Sequence, residues 1–118
     1  FPILGTESVL ASKASIALFI NQGPDTYKDF IQYLVKYNRK ISLEKIKKII
    51  QEIGGNSEDI EQQMEKEIVY NVLNSNYALA NILKITGTPT FIIGSEIIRG
   101  YKNRIELEKI IERNYNDL

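Results

Sequence analysis

Thr86-Gly87-Thr88-Pro89-Thr90-Phe91-Ile92-Ile93-Gly94 is a turn-forming cluster with a proline at its centre that opens into an apolar, β-branched run. Proline lacks a ladder donor and fixes φ, so it stands at a strand's first position or on an edge. The stretch reads as a short strand entered through Pro89, with backbone groups beside the proline left free to pair with a visiting chain. Spacing alone leaves the Thr88-Pro89 bond open between an ordinary trans proline and a cis proline built into the turn.

Downstream, Phe91-Ile92-Ile93, Gly94-Ser95 and Glu96-Ile97-Ile98 have the pattern of a β-hairpin closed by a type II′ or I′ turn, and Gly100 breaks the second strand. Asn103 is placed to cap a terminal helix whose apolar side is Ile105, Leu107, Ile110 and Ile111. Upstream lie helices. Thr6 reads as the cap of the first, with Glu7 in its first turn and Val9, Leu10, Ala14, Ala17, Leu18 and Ile20 on its apolar face. Gly23 ends it, and Pro24 opens a second carrying Tyr27, Phe30, Ile31, Leu34 and Val35. Ser42 caps a third, in which Leu43, Ile46, Ile49, Ile50 and Ile53 face inward before Gly54-Gly55 stops it. A polar helix starts at Ser57 and continues or kinks into one carrying Ile68, Val69, Val72, Leu73, Leu79, Ala80 and Leu83. The span 57–85 is too long for one straight helix. Phe1-Pro2-Ile3-Leu4-Gly5 suits the tail of a buried strand or an anchored loop.

The layout is an α-rich α/β fold with too little sheet, since a two-stranded hairpin is marginal alone. Its 118 residues suit a single domain, and 43% apolar with 25% charged residues is an ordinary soluble composition. Fifteen acidic and fifteen basic side chains cancel, which argues against nucleic acid as a partner. No cysteine and no histidine occur, so thiol chemistry, imidazole bases and nearly every transition-metal site are excluded for these residues, and no cofactor is expected. No run reaches the apolar length of a membrane span. The chain opens on Phe1 rather than methionine, which reads as a cut chain that other residues once preceded.

The bland readings absorb most other features. Lys45, Lys47 and Lys48 form a solvated helix face, as do the carboxylates Glu58, Asp59, Glu61, Glu65 and Glu67, which lack an apolar pocket signal around them. Tyr27, Tyr33, Tyr37, Tyr70, Tyr77, Tyr101 and Tyr115 read as half-buried core with wet hydroxyls. Gly54-Gly55 lacks the lysine and spacing of a phosphate loop.

The proline-led motif followed by Ile98-x-Gly100-Tyr101, with Phe1-Pro2-Ile3-Leu4-Gly5-x-Glu7-Ser8 at the other end, resembles the DsbA-like thiol:disulfide oxidoreductases of the thioredoxin superfamily. The joint occurrence of both motifs is far more specific than either alone. The resemblance implies an incomplete thioredoxin-like fold with an inserted helical domain. Residues 1–5 would be the end of a core strand or a loop, 6–74 would form the helical region of core helix plus inserted helices, and 75–118 would hold the C-terminal core half with helix, cis-proline loop, hairpin and terminal helix. It further implies that Pro89 matches the family's cis-proline and that Gly87, Thr88, Pro89 and Thr90 hold a polypeptide substrate, with the redox-active Cys-x-x-Cys upstream of Phe1. Lys84 departs from the glycine usual after that helix.

Disulfide exchange requires a thiolate, and no side chain here replaces it. The leading expectation is therefore a truncated, redox-inactive part of a disulfide oxidoreductase of the periplasm or cell envelope, a compartment implied by the resemblance alone. Catalytic and metal residues are expected to be absent. The alternative is a cysteine-free thioredoxin-like module that binds peptide or protein. A helical dimerisation domain of other ancestry leaves the proline-led strand unexplained. In the truncated case the hairpin edge is exposed, so a homo-oligomer or domain-swapped dimer through that edge is expected.

Overall fold

The computed structural model describes residues 1–116. Its elements in chain order are α1 (Thr6–Lys36), α2 (Leu43–Glu52), α3 (Ile60–Met64), α4 (Glu67–Ile82), β1 (Thr90–Ile93), β2 (Glu96–Arg99) and α5 (Arg104–Asn116). Two compact units divide between Leu79 and Ala80, within the last turns of α4.

In the first unit, α1 joins the two helices expected on either side of Gly23. That glycine has φ 88° and ψ 175°, a conformation essentially restricted to glycine, and Pro24 restarts the helix from it. Thr6 does not cap α1. Gly5 holds the cap position without any side-chain bond, and Thr6 is already helical. Glu7 instead accepts the backbone N–H of Ile41 at 3.0 Å, fastening the start of α1 to the segment before α2. Ser42 caps α2 by accepting from the Lys45 N–H at 3.2 Å. Gly54 and Gly55 close that helix through N–H donors to the carbonyls of Gln51 and Ile50 at 3.0 and 2.8 Å.

Ala14, Ala17, Leu18, Phe30, Ile46, Ile49, Ile50, Ile60, Met64 and Val69 form one buried cluster. Burying each large apolar side chain contributes roughly 1.5–3 kcal/mol, so this cluster is the main source of the unit's stability. The alanines let the other helices approach α1 closely. Ile20 and Val35, expected inward, are 43% and 81% exposed, because the apolar stripe of α1 is wider than the surface packed on it. The helix expected from Ser57 is also shorter. Ser57 is buried in an irregular segment, α3 begins only at Ile60, and Glu65 and Lys66 separate it from α4. The opening residues are an anchored loop rather than a strand: Phe1 stacks edge-on against Tyr77 at 5.5 Å, and the Tyr77 hydroxyl donates to the Pro2 carbonyl at 2.8 Å.

In the second unit, β1 and β2 pair antiparallel with Thr90 opposite Arg99 and Ile93 opposite Glu96. Gly94 has φ +57° in the two-residue turn and Ser95 has no positive φ, which is the type II′ geometry that matches strand twist. A Cβ at Gly94 would collide with the side chain of Asn114. Asn103 and Glu106 cap α5 reciprocally, the Glu106 N–H donating to the Asn103 side chain at 2.9 Å and the Asn103 N–H to the Glu106 carboxylate at 3.0 Å. No residue of α5 is buried, and Ile105 and Ile111, expected inward, are exposed. Among the described residues the sheet has only these two strands.

Candidate functional site

The stretch between α4 and β1 starts from a helix end built by specific hydrogen bonds. The N–H of Ile85 donates to the Ala80 carbonyl at 2.9 Å and that of Lys84 to Asn81 at 3.1 Å. This is the doubled bond pattern of a Schellman ending, and Lys84 occupies its left-handed position with φ 52°. A lysine in that conformation costs about 1 kcal/mol relative to a glycine. Arg99 reaches back from β2, its Nη2 donating to the carbonyls of Leu83 and Lys84 at 3.1 and 3.2 Å.

Thr86, Gly87, Thr88 and Pro89 then lie exposed, and Thr90 is half-buried. The Thr88-Pro89 peptide is cis. The Thr90 hydroxyl donates to the Gly87 carbonyl at 2.7 Å, and the Gly100 N–H donates to the Pro89 carbonyl at 2.9 Å. Among the described residues, the Thr88 N–H and C=O make no hydrogen bond. Because Pro89 and Gly100 form a hydrogen-bonded position, the alternation of an antiparallel ladder places Phe91 with Ile98 and Ile93 with Glu96 in the same class. Thr90 and Ile92 consequently turn their N–H and C=O groups to the outer edge of β1. Of the four residues singled out from the sequence, Gly87, Thr88 and Pro89 form an exposed run that half-buried Thr90 continues; its outward main-chain groups are those of Thr88 and Thr90, and no ionisable group lies among them. Such a surface can align an extended backbone but cannot transfer electrons or protons.

Other clusters have different characters. Lys13, 12% exposed, binds Glu65, donates to the Tyr70 hydroxyl at 2.8 Å and sits 4.6 Å from that ring's centroid, while Tyr70 donates to Glu65. Burial depresses the Lys13 ammonium, but hydrogen bonds to Glu65 and Tyr70 outweigh it and the net shift is upward. The same bonds, from Lys13 first and Tyr70 second, hold the Glu65 carboxyl below its ordinary range. Glu61 pairs with Lys47 at 3.1 Å. These carboxylates are accounted for by ion pairs, and no group of three or more metal-binding side chains exists among the described residues.

Of the tyrosines, Tyr27, Tyr33, Tyr37 and Tyr77 are half-buried as expected, whereas Tyr70, Tyr101 and Tyr115 are exposed. A cavity of about 540 Å³, not foreseen from the sequence, lies in the first unit between Ile16, Phe19, Ile20 and Tyr27 of α1 and Ile68, Val72 and Asn76 of α4. Its lining is almost wholly apolar and holds no charged group. Arg99 was the other unforeseen contributor, and nothing in its local sequence marks it.

A family model described as a DSBA-like thioredoxin domain matches residues 3–112. Among solved structures, a thioredoxin-like oxidoreductase from Silicibacter pomeroyi DSS-3 is 26% identical with a TM-score of 0.87, over 98% of this chain and 65% of its own. The thiol-disulfide exchange protein alpha-DsbA2 from Wolbachia pipientis is 27% identical with a TM-score of 0.82, over 95% and 61%. A periplasmic thioredoxin-like protein from Salmonella enterica serovar Typhimurium is 23% identical with a TM-score of 0.85, over 98% and 63%, a likeness of fold alone. This chain therefore spans less than two thirds of the length of these structures. No curated protein matches it.

Proposed function

This chain belongs to the DSBA-like thioredoxin domain family, and from that premise we propose that Gly87, Thr88, Pro89 and Thr90 hold an extended polypeptide whose disulfide chemistry is carried out by cysteines outside these residues. The observation that carries the reading is the unpaired, exposed backbone of Thr88 beside Pro89. A peptide laid along it gains main-chain hydrogen bonds without displacing any existing one. With no cysteine among its 118 residues, the chain by itself is redox-inactive. In a longer protein carrying Cys-x-x-Cys before Phe1, a mixed disulfide would form at the upstream thiolate while this loop aligned the substrate. The envelope or periplasm is the matching compartment.

The test is titration of the isotope-labelled chain with a blocked extended peptide. Shifts centred on Gly87, Thr88 and Thr90 that vanish in Pro89→Ala support the proposal, and no shift at millimolar peptide refutes it. The absence of cysteine also favours a second reading, a peptide- or protein-binding module without redox chemistry. The two separate on the sequence of the longest natural polypeptide containing this chain: a Cys-x-x-Cys upstream supports the first, and its lack supports the second.

The outer edge of β1 suits self-association, since its Thr90 and Ile92 main-chain groups are a template for another strand and Ile92 is 53% exposed. A homo-oligomer or domain-swapped dimer through this edge would sediment above the monomer mass at high concentration. A monomer throughout would count against it.

A further inference from the structure

The loop from the end of α4 to β1 is gripped at both ends by Arg99, the last residue of β2, and its neighbour Gly100. The Schellman bonds satisfy the carbonyls of Ala80 and Asn81 but leave that of Leu83, at the negative end of the helix, and that of Lys84 just beyond it. Arg99 Nη2 donates to both. The same residue stands opposite Thr90, the first residue beyond the loop, and its neighbour Gly100 donates to the Pro89 carbonyl. Between these anchors, the described residues include one further tie, from the Thr90 hydroxyl to Gly87.

We infer that Arg99 is a positioning residue, holding the start of the Thr86–Pro89 loop against the strand that fixes its end and so setting how the Gly87-Thr88 backbone is presented. This rests on the peptide-holding reading of that loop. Arg99 itself need not touch the peptide, because its hydrogen bonds are directed at the helix end. A methionine keeps much of the stem while removing every donor. A lysine restores the charge and one donor group without the planar guanidinium.

The experiment compares the full chain with Arg99→Met and Arg99→Lys, reading backbone order parameters of Gly87 and Thr88, Phe91–Ile98 cross-strand contacts, and affinity for a blocked hexapeptide of alternating serine and valine. Arg99→Met lowers the order of Gly87 and Thr88 and weakens peptide binding about two- to fivefold, the range of a surface cation at a helix end, with the cross-strand contacts intact. Arg99→Lys recovers most of both. Unchanged loop order in Arg99→Met overturns the inference. Loss of the Phe91–Ile98 contacts also overturns it, since Arg99 would then serve the hairpin as a whole. If the unsubstituted chain takes up no peptide, the binding reading fails by itself, and the order parameters still decide whether Arg99 shapes the loop.

Discussion

Arg113 on α5 grips Glu96 at the start of β2 with two nitrogens, Nη2 at 2.6 and 2.7 Å from the two carboxylate oxygens and Nε at 3.0 Å. Asn114 adds a bond to the same carboxylate at 2.9 Å. The pair ties the terminal helix to the hairpin across a surface on which α5 buries no residue of its own.

The Arg113 hydrogen bonds first, and that of Asn114 second, hold the Glu96 carboxyl below its ordinary range. A depressed carboxyl stabilises the fold above its unfolded pKa, and that contribution is lost as pH falls through the folded value. Glu96→Gln is expected to raise amide exchange in α5 at neutral pH relative to the parent. After correction for intrinsic exchange, the two proteins converge in acid below the carboxylate range. A difference that persists there would show that charge is not the tie.

The Lys13–Glu65–Tyr70 cluster gives a second pH signature. Glu65 is shifted down, so its contribution disappears in acid; Lys13 is shifted up, so its contribution is present below the unfolded lysine value and disappears in strong alkali. Between those limits Glu65→Gln should cost about 0.5–1 kcal/mol, a range set by Glu65's solvent exposure. Urea denaturation at pH 7 and pH 3 measures it, with the cost expected at pH 7 and smaller at pH 3.

Lys84→Gly should stabilise the chain by about 0.5–1 kcal/mol, because glycine takes the left-handed position at the end of α4 without the steric penalty lysine pays. Thermal or chemical unfolding of the two proteins decides it. A loss of stability would place the lysine side chain in an interaction that outweighs its backbone.

Phe30 and Phe19 lie on the same helix, one wholly buried and the other 52% exposed. Phe30→Ala should cost about 3–5 kcal/mol and leave little folded protein, whereas Phe19→Ala should cost far less. Circular dichroism of both variants checks the ranking. Equal losses would mean that Phe19 is covered in solution.

Features governed by a few adjacent residues were legible in the sequence. Gly94-Ser95 between β-branched runs announced the hairpin, Ser42 and Asn103 announced helix starts, and Gly54-Gly55 announced an end. The proline-led loop and its family resemblance were readable for the same reason. Features set by what packs where were not. Ile20, Val35, Leu79, Ile105 and Ile111 have helical spacing, but whether a neighbour covers them depends on tertiary arrangement, and they are exposed. Thr6 has a capping side chain, yet Gly5 holds the cap and Glu7 turns to Ile41. Arg99 could not be found by spacing, since its partners are main-chain carbonyls brought near by strand register.

The break at Gly23 also sets a length. An unbroken helix of the 31 residues in α1 would extend about 46 Å, half as long again as the roughly 30 Å diameter of a small domain. Its far end would project past any core this chain can assemble. Bent at one glycine, the same residues deliver Leu18 from before the break and Phe30 from after it to a single cluster. The glycine turns an oversized rod into two walls of one room.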